Sequence, residues 1–167
     1  MKDMDFNDYL HTIEKRLEKS FDLERNYTIN NYVFDIFAKY NARTERYILT
    51  KTTVIDAVEN NEYCFIKFFD SLNQDHLKIY IDSLIGTIDI LVNPTKEHMS
   101  STITGVIVVD KKPNINIIDD IKRFKYNKGF AFGFKGWVDI RLILVAMKDQ
   151  YIVTNKKGRE VSKVYSV

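Results

Sequence analysis

Cations and aromatic rings alternate within sixteen positions of the second half of the chain. Lysine and arginine can neutralise phosphates, and aromatic rings can stack on bases, so such a surface suits single-stranded nucleic acid. The alternative is that the rings are core and the lysines are solvated, because aromatic side chains are more often buried than exposed. The set is Lys122, Arg123, Lys125, Tyr126, Lys128, Phe130, Phe132, Phe134, Lys135 and Trp137.

Part of this stretch, Lys128-Gly129-Phe130-Ala131-Phe132, resembles the first five positions of the octet that RNA-recognition motifs stack against bases. The resemblance implies an RNA-binding strand that leads into a helix. The chain departs from the octet at Gly133, where the family has an aliphatic residue, and at Lys135, where it has an aromatic one. The segment also leads to Gly136 and a predicted strand. A tight connection shaped by glycines is the other interpretation.

Asp139 and Arg141 are two residues apart on a predicted strand, so their side chains share one face of the sheet. A buried charge must be paired, and an Asp–Arg pair is most often structural. The same pair beside Trp137 could instead line a binding pocket. Both interpretations stay open from the sequence.

His98 directly precedes a predicted strand, a position where loops often carry site residues. A metal site there would need further ligands that the sequence does not place. The chain also lacks a Ser-His-Asp signature, an HExxH helix, a phosphate loop and a GxGxxG motif. We therefore predict no metal and no cofactor, and we favour a protein that is not an enzyme.

Composition predicts one globular domain over residues 1–167 in the cytoplasm. Hydrophobic residues make up 45% of the chain, and Cys64 is its only cysteine, which excludes an internal disulfide. We expect Cys64 to be a buried structural thiol on a strand. The acidic N-terminus lacks the apolar region of a secretory signal, and no stretch is apolar enough to cross a membrane.

Charge is distributed unevenly along the chain. Residues 1–110 hold 12 Lys and Arg against 18 Asp and Glu, whereas residues 111–167 hold 13 against 5, so the two parts carry −6 and +8. A basic half points to an acidic partner such as nucleic acid. The alternative is that folding brings the two parts together and neutralises them.

Hydrophobic periodicity predicts helices separated by short strands. Helices are expected at Asp3–Ser20, Asn73–Val92 and Ile115–Phe124, with a short helix or turn at Thr53–Glu59. Strands are expected at Tyr32–Tyr40, Arg46–Thr50, Tyr63–Phe69, Thr102–Val109, Trp137–Met147 and Tyr151–Thr154, with turns at Asn26–Asn31 and 41–44. The tail from about residue 156 is expected to be loosely held. The fold class is α/β (α+β): one mixed, mainly antiparallel sheet of five or six strands flanked by helices.

The order α-β-β-β-α-β-α-β resembles the restriction-endonuclease core, PD-(D/E)xK. That family implies a divalent-metal nuclease in which two acids hold the metal and a lysine positions water. The family's third-strand motif has no match in Glu62–Lys67. A shifted match consists of Asp89, Asp110 and Lys112, which are the candidate catalytic residues of this alternative.

A second resemblance, to uncharacterised bacterial proteins of unknown function, covers much of the chain and implies no activity. It runs from Glu97-His98-Met99 through Lys128, Lys135, Trp137 and Asp139-x-Arg141 to Thr154-Asn155-Lys156-Lys157-Gly158. We therefore predict a small non-catalytic binding domain whose second half contacts nucleic acid or another acidic partner. Its candidate binding residues are Lys128, Lys135, Trp137, Asp139, Arg141 and His98.

Overall fold

The computed structural model describes residues 3–47, 54–92, 98–130, 133 and 136–167, with the backbone alone at 42–47, 54–59 and 98–99. Its helices are α1 (Phe6–Leu17), α2 (Gln74–Leu91), α3 (Ile115–Arg123) and α4 (Ser162–Tyr165). A 3-10 helix spans Lys157–Val161. The strands are β1 (Asp22–Ile29), β2 (Tyr32–Tyr47), β3 (Val54–Phe68), β4 (His98–Val109), β5 (Asn127–Gly129), β6 (Trp137–Ala146) and β7 (Tyr151–Thr154).

These strands form one mixed sheet, which confirms the predicted fold class with seven strands in the described residues. The order is β1-β2-β3-β4-β6-β5, and β7 also pairs with β6. β3, β4 and β6 run parallel, whereas the other neighbours are antiparallel. Because β4 occupies one side of β6 along its whole length, β5 and β7 share the other side.

Helices cover both faces of the sheet, and the three longer ones begin at polar caps. The side chains of Asp5, Asn73 and Asn114 each accept a backbone N–H of the first turn of α1, α2 and α3. Apolar residues of α2 and α3 pack on one face, and those of α1 pack on the other with Tyr165 of α4. No helix in the described residues is long and apolar enough to cross a membrane.

The structure differs from the prediction in the first three strands. Asp22–Ile29 forms an edge strand, and the turn is confined to Asn30 and Asn31, whose φ angles are 52° and 62°. The segments predicted as a turn at 41–44 and as a helix or turn at Thr53–Glu59 belong instead to the long β2–β3 pairing, as far as they are described. Residues 48–53 lie outside the described part.

The chain beyond residue 156 packs on the sheet, whereas a loosely held tail was predicted. The Tyr9 hydroxyl donates to the carbonyl of Tyr165 at 2.6 Å, and Arg16 donates to the carbonyls of Val164 and Ser166. The Tyr165 hydroxyl donates to the sulfur of Cys64 at 3.3 Å. Cys64 is buried, as predicted, and burial raises the pKa of its thiol to about 12.

Candidate functional site

The outer edge of β6 has a gap between its two short partners. β5 pairs with Trp137–Asp139, and β7 pairs with Ile143–Ala146, so neither strand reaches the residues between. The Ile140 N–H donates to the carbonyl of Tyr126 at 3.3 Å, but the remaining backbone groups need partners from elsewhere. The chain that leaves β7 supplies them.

Asn155 closes this gap with its side-chain amide. Its Nδ2 donates to the carbonyl of Ile140 at 3.0 Å, and its Oδ1 accepts the N–H of Leu142 at 3.0 Å and that of Gly158 at 2.9 Å. The side chain is buried. The Asn155 side chain therefore makes the hydrogen bonds that a neighbouring strand would make to Ile140 and Leu142. It also holds the start of the segment that carries Lys156 and Lys157.

A cleft of about 440 Å³ opens over this edge. One wall comes from the end of α3 and the segment that follows it, the other from residues 155–160, and Asp139 and Ile140 lie between them. Five cations line the cleft against two acids, Asp139 and Glu160, and the half-buried rings of Phe124 and Tyr126 lie beside them. The cations are Lys122, Arg123, Lys125, Lys156 and Lys157.

Glu160 is held between two cations at the rim of the cleft. Its Oε1 lies 3.0 Å from Lys157 Nζ, and its Oε2 accepts a hydrogen bond from Arg141 Nη2 at 3.0 Å. The hydrogen bond from Lys157, and to a smaller extent that from Arg141, lowers the pKa of this carboxyl. One of the two acids is therefore already paired, and the cleft keeps a cationic surplus.

The predicted binding residues are only partly brought together. Asp139 lines the cleft and accepts a hydrogen bond from the Asn127 amide at 2.7 Å. Arg141 is buried and pairs with Glu160 and Glu62, so the structure gives it acidic partners other than the Asp139 suggested by the sequence. Arg141 does not line the cleft itself, but it contacts Glu160, which does.

Lys128 and Trp137, two further predicted binding residues, do not line the cleft. Lys128 pairs with Asp89 at 3.7 Å, and its Nζ lies over the ring of Phe130 at 5.5 Å. Trp137 is 41% exposed at the start of β6. His98 begins β4, where only its backbone is described, and Lys135, with residues 131, 132 and 134, lies outside the described part.

The described rings of the basic stretch divide between the two interpretations that the sequence left open. Phe124, Tyr126 and Phe130 are half-buried against the core, whereas Trp137 is exposed. Lys128 and Gly129 belong to a three-residue edge strand, and the chain then turns back through Gly133 and Gly136, whose φ angles are 88° and 102°. This geometry is a tight connection into β6, where an RNA-recognition octet would occupy a strand that leads into a helix.

The acids of the nuclease alternative lie at opposite ends of the sheet. Asp89 contacts Lys128 beside the start of β6, whereas Asp110 follows the end of β4 and lies 3.5 Å from Lys148. Lys128 pairs through Val138 with Ser101, and Ser101 is eight residues before Val109, so about 26 Å of strand separates the two acids. Lys112 lies over the ring of Tyr151. No group of three His, Cys, Asp or Glu side chains suited to a metal occurs in the described residues.

Asn155, Lys156, Lys157 and Glu160 are the cleft residues that the sequence prediction did not identify as site residues. They follow β7 in a polar segment, where polarity alone indicates exposure and a loose tail. A local signal was present in Asn155-Lys156-Lys157-Gly158, because a glycine allows close approach of the backbone. A Cβ at Gly158 would lie 3.1 Å from the carbonyl oxygen of Leu142.

A family described as "Domain of unknown function (DUF8052)" matches residues 5–167. Comparison with curated proteins and with solved structures finds no match. The function must therefore be argued from the cleft.

Proposed function

The chain belongs to this family of unknown function, and from the cleft we propose a non-catalytic binding domain for a polyanion, with single-stranded nucleic acid as its ligand. The observation that carries the proposal is the convergence of five cations from two separate segments on one concave surface. Lysine and arginine next to one another repel, so a fold that gathers them gains from an anion that neutralises them.

The shape and the rings of the cleft favour a single strand. A volume of about 440 Å³ is in the range of pockets that hold small molecules or single groups of a larger ligand, and is too small to enclose a duplex. Phe124 and Tyr126 place aromatic surface beside the cations, the combination that holds bases and backbone together. A polyphosphate would use the cations alone.

The proposal also includes a cytoplasmic location. A single unpaired cysteine, Cys64, suits a reducing compartment, and its buried thiol needs no partner. The cytoplasm is also where single-stranded nucleic acid is met in quantity.

Binding of labelled oligothymidylate and oligouridylate, followed by fluorescence anisotropy at several salt concentrations, tests the proposal. If all five cations contact phosphates, the slope of log K against log salt should approach about −3.5, at about −0.7 per contact for single strands. The double substitution Lys156→Gln with Lys157→Gln should reduce this slope by about 1.4 and weaken binding at low salt by about tenfold or more.

The matched control is Lys15→Gln with Lys19→Gln, which removes the same charge from exposed positions on and just after α1. It should leave the slope unchanged. Equal effects of the two double variants would mean that net charge alone drives binding and would refute the cleft as the binding site. Polyphosphate that binds as tightly as the oligonucleotides would refute the choice of nucleic acid.

A further inference from the structure

Arg141 is a buried cation, and one of its three nitrogens is buried without a hydrogen-bond partner in the described part of the chain. Its side chain is 9% exposed, Nη2 donates to Glu160 at 3.0 Å, and Nη1 lies 3.6 Å from Glu62. Its Nε is buried and has no hydrogen-bond partner among the described residues. A buried donor without a partner costs about 1–3 kcal/mol, so this side of the guanidinium is poised for an acceptor.

The contacts of Glu160 show what kind of ligand group fits between Arg141 and Lys157. Its two oxygens each take one cation, Lys157 and Arg141, which is how a carboxylate or phosphate group is held. The side chain is 47% exposed and stands on a 3-10 helix of five residues, at the rim of the cleft. The ion pair with Lys157 is exposed on both sides and therefore weak, whereas the guanidinium of Arg141 is buried, so an anion that displaces Glu160 must replace its carboxylate there.

We propose that Arg141 and Lys157 form an oxyanion subsite of the cleft, and that Glu160 occupies this subsite until a phosphate group of the ligand displaces it. The proposal rests on the proposed function and adds its regulation by an internal competitor. A phosphate has more oxygens than a carboxylate, so it can accept from Nε and Nη2 of Arg141 side by side while it contacts Lys157. Glu160 satisfies only one of those two donors.

Two substitutions at Glu160 distinguish displacement of its carboxylate by phosphate from a general effect of net charge on binding. Glu160→Asp keeps the net charge but draws the carboxylate back by one methylene, and Glu160→Gln removes the charge. Asp139→Asn removes one negative charge from the same cleft without a contact to Arg141 among the described hydrogen bonds and ion pairs, and so serves as the charge control. Inorganic pyrophosphate, measured by isothermal titration calorimetry, is the probe, with the oligothymidylate as a second ligand.

Glu160→Asp should bind pyrophosphate about threefold more tightly than the wild type, and Glu160→Gln about fivefold more tightly, which exceeds the gain of Asp139→Asn. Arg141→Lys added to Glu160→Gln should abolish the gain, because lysine cannot offer two parallel donors. Circular dichroism checks that each variant is folded, and both changes at Glu160 are small ones on a half-exposed side chain.

The outcomes distinguish this proposal from the function on which it rests. If Glu160→Asp binds pyrophosphate no more tightly than the wild type and Glu160→Gln only matches Asp139→Asn, competition by Glu160 is refuted. Salt-dependent oligonucleotide binding would in that case still support the cleft as the binding site. If neither pyrophosphate nor any oligonucleotide binds to the wild type or the variants at low salt, both proposals are refuted.

Discussion

Replacement of Asn155 by alanine tests the construction of the cleft most directly. The substitution would remove partners from the Leu142 N–H, the Gly158 N–H and the Ile140 carbonyl, all within 3.0 Å of the Asn155 amide. At about 1 kcal/mol or slightly more for each buried group left without a partner, the loss is about 3–4 kcal/mol of the free energy of unfolding. This is a large part of the about 5–15 kcal/mol typical of a domain.

Urea denaturation followed by circular dichroism measures this loss. With a slope of about 2 kcal/mol per molar urea, the midpoint should fall by about 1.5–2 M with the slope unchanged. Asn116→Ala, on the exposed side of α3, is the matched control and should shift the midpoint little. A loss below about 1 kcal/mol for Asn155→Ala would refute the argument that this amide replaces a strand at the edge of β6.

Three further predictions concern packing and ionisation. Gly158→Ala should lower the free energy of unfolding by about 1–3 kcal/mol in urea titrations, because its Cβ would lie 3.0 Å from both Asn155 Oδ1 and Thr154 Cβ; a neutral result would contradict the close packing. Cys64, whose pKa is raised to about 12 by burial, should resist alkylation at pH 8 in the native protein and react in urea, as measured by mass spectrometry. Burial also raises the pKa of Tyr165 above its ordinary value, so the unfolded chain loses this proton first and stability should decrease as pH rises above about 10, a trend that Tyr165→Phe should weaken in thermal melts.

Periodicity predicted the elements whose apolar side chains meet the core. α2 and α3 were located to within a residue or two because burial of one face imposes a spacing of 3.6 on them. β6 and β7 were located equally well, β6 because it is buried on both faces and forms a nearly continuous apolar run. The strand at Asp22–Ile29 was not predicted because it is an edge strand with mostly exposed side chains. Asn26, at φ 49°, also resembles a turn residue. Local pattern carries little information where most side chains of a strand are exposed, because burial then imposes no alternation.

Half of the candidate site was accessible from the sequence. The basic stretch drew attention to Lys122–Tyr126, and Asp139 was named from its place on a predicted strand. Lys156 and Lys157 were missed because their position depends on Asn155, whose hydrogen bonds join residues 13 and 15 positions apart. The charge partner of Arg141 was missed for the same reason, since Glu160 lies 19 positions further along the chain. Side-chain contacts across the chain leave no periodic trace in a sequence.

The uneven charge of the chain gains a physical meaning from this architecture. Folding could have paired the acidic first part with the basic second part, and it does so at Lys128 with Asp89 and at Arg141 with Glu62. The five cations of the cleft come entirely from residues 122–157. Two of them have an acidic partner in the described ion pairs, Arg123 with Asp119 and Lys157 with Glu160, and each of these pairs lies within a single helix. The surplus therefore survives where the edge of β6 is left open by two short strands. In this fold the interruption of the sheet and the concentration of cations therefore occur at the same edge.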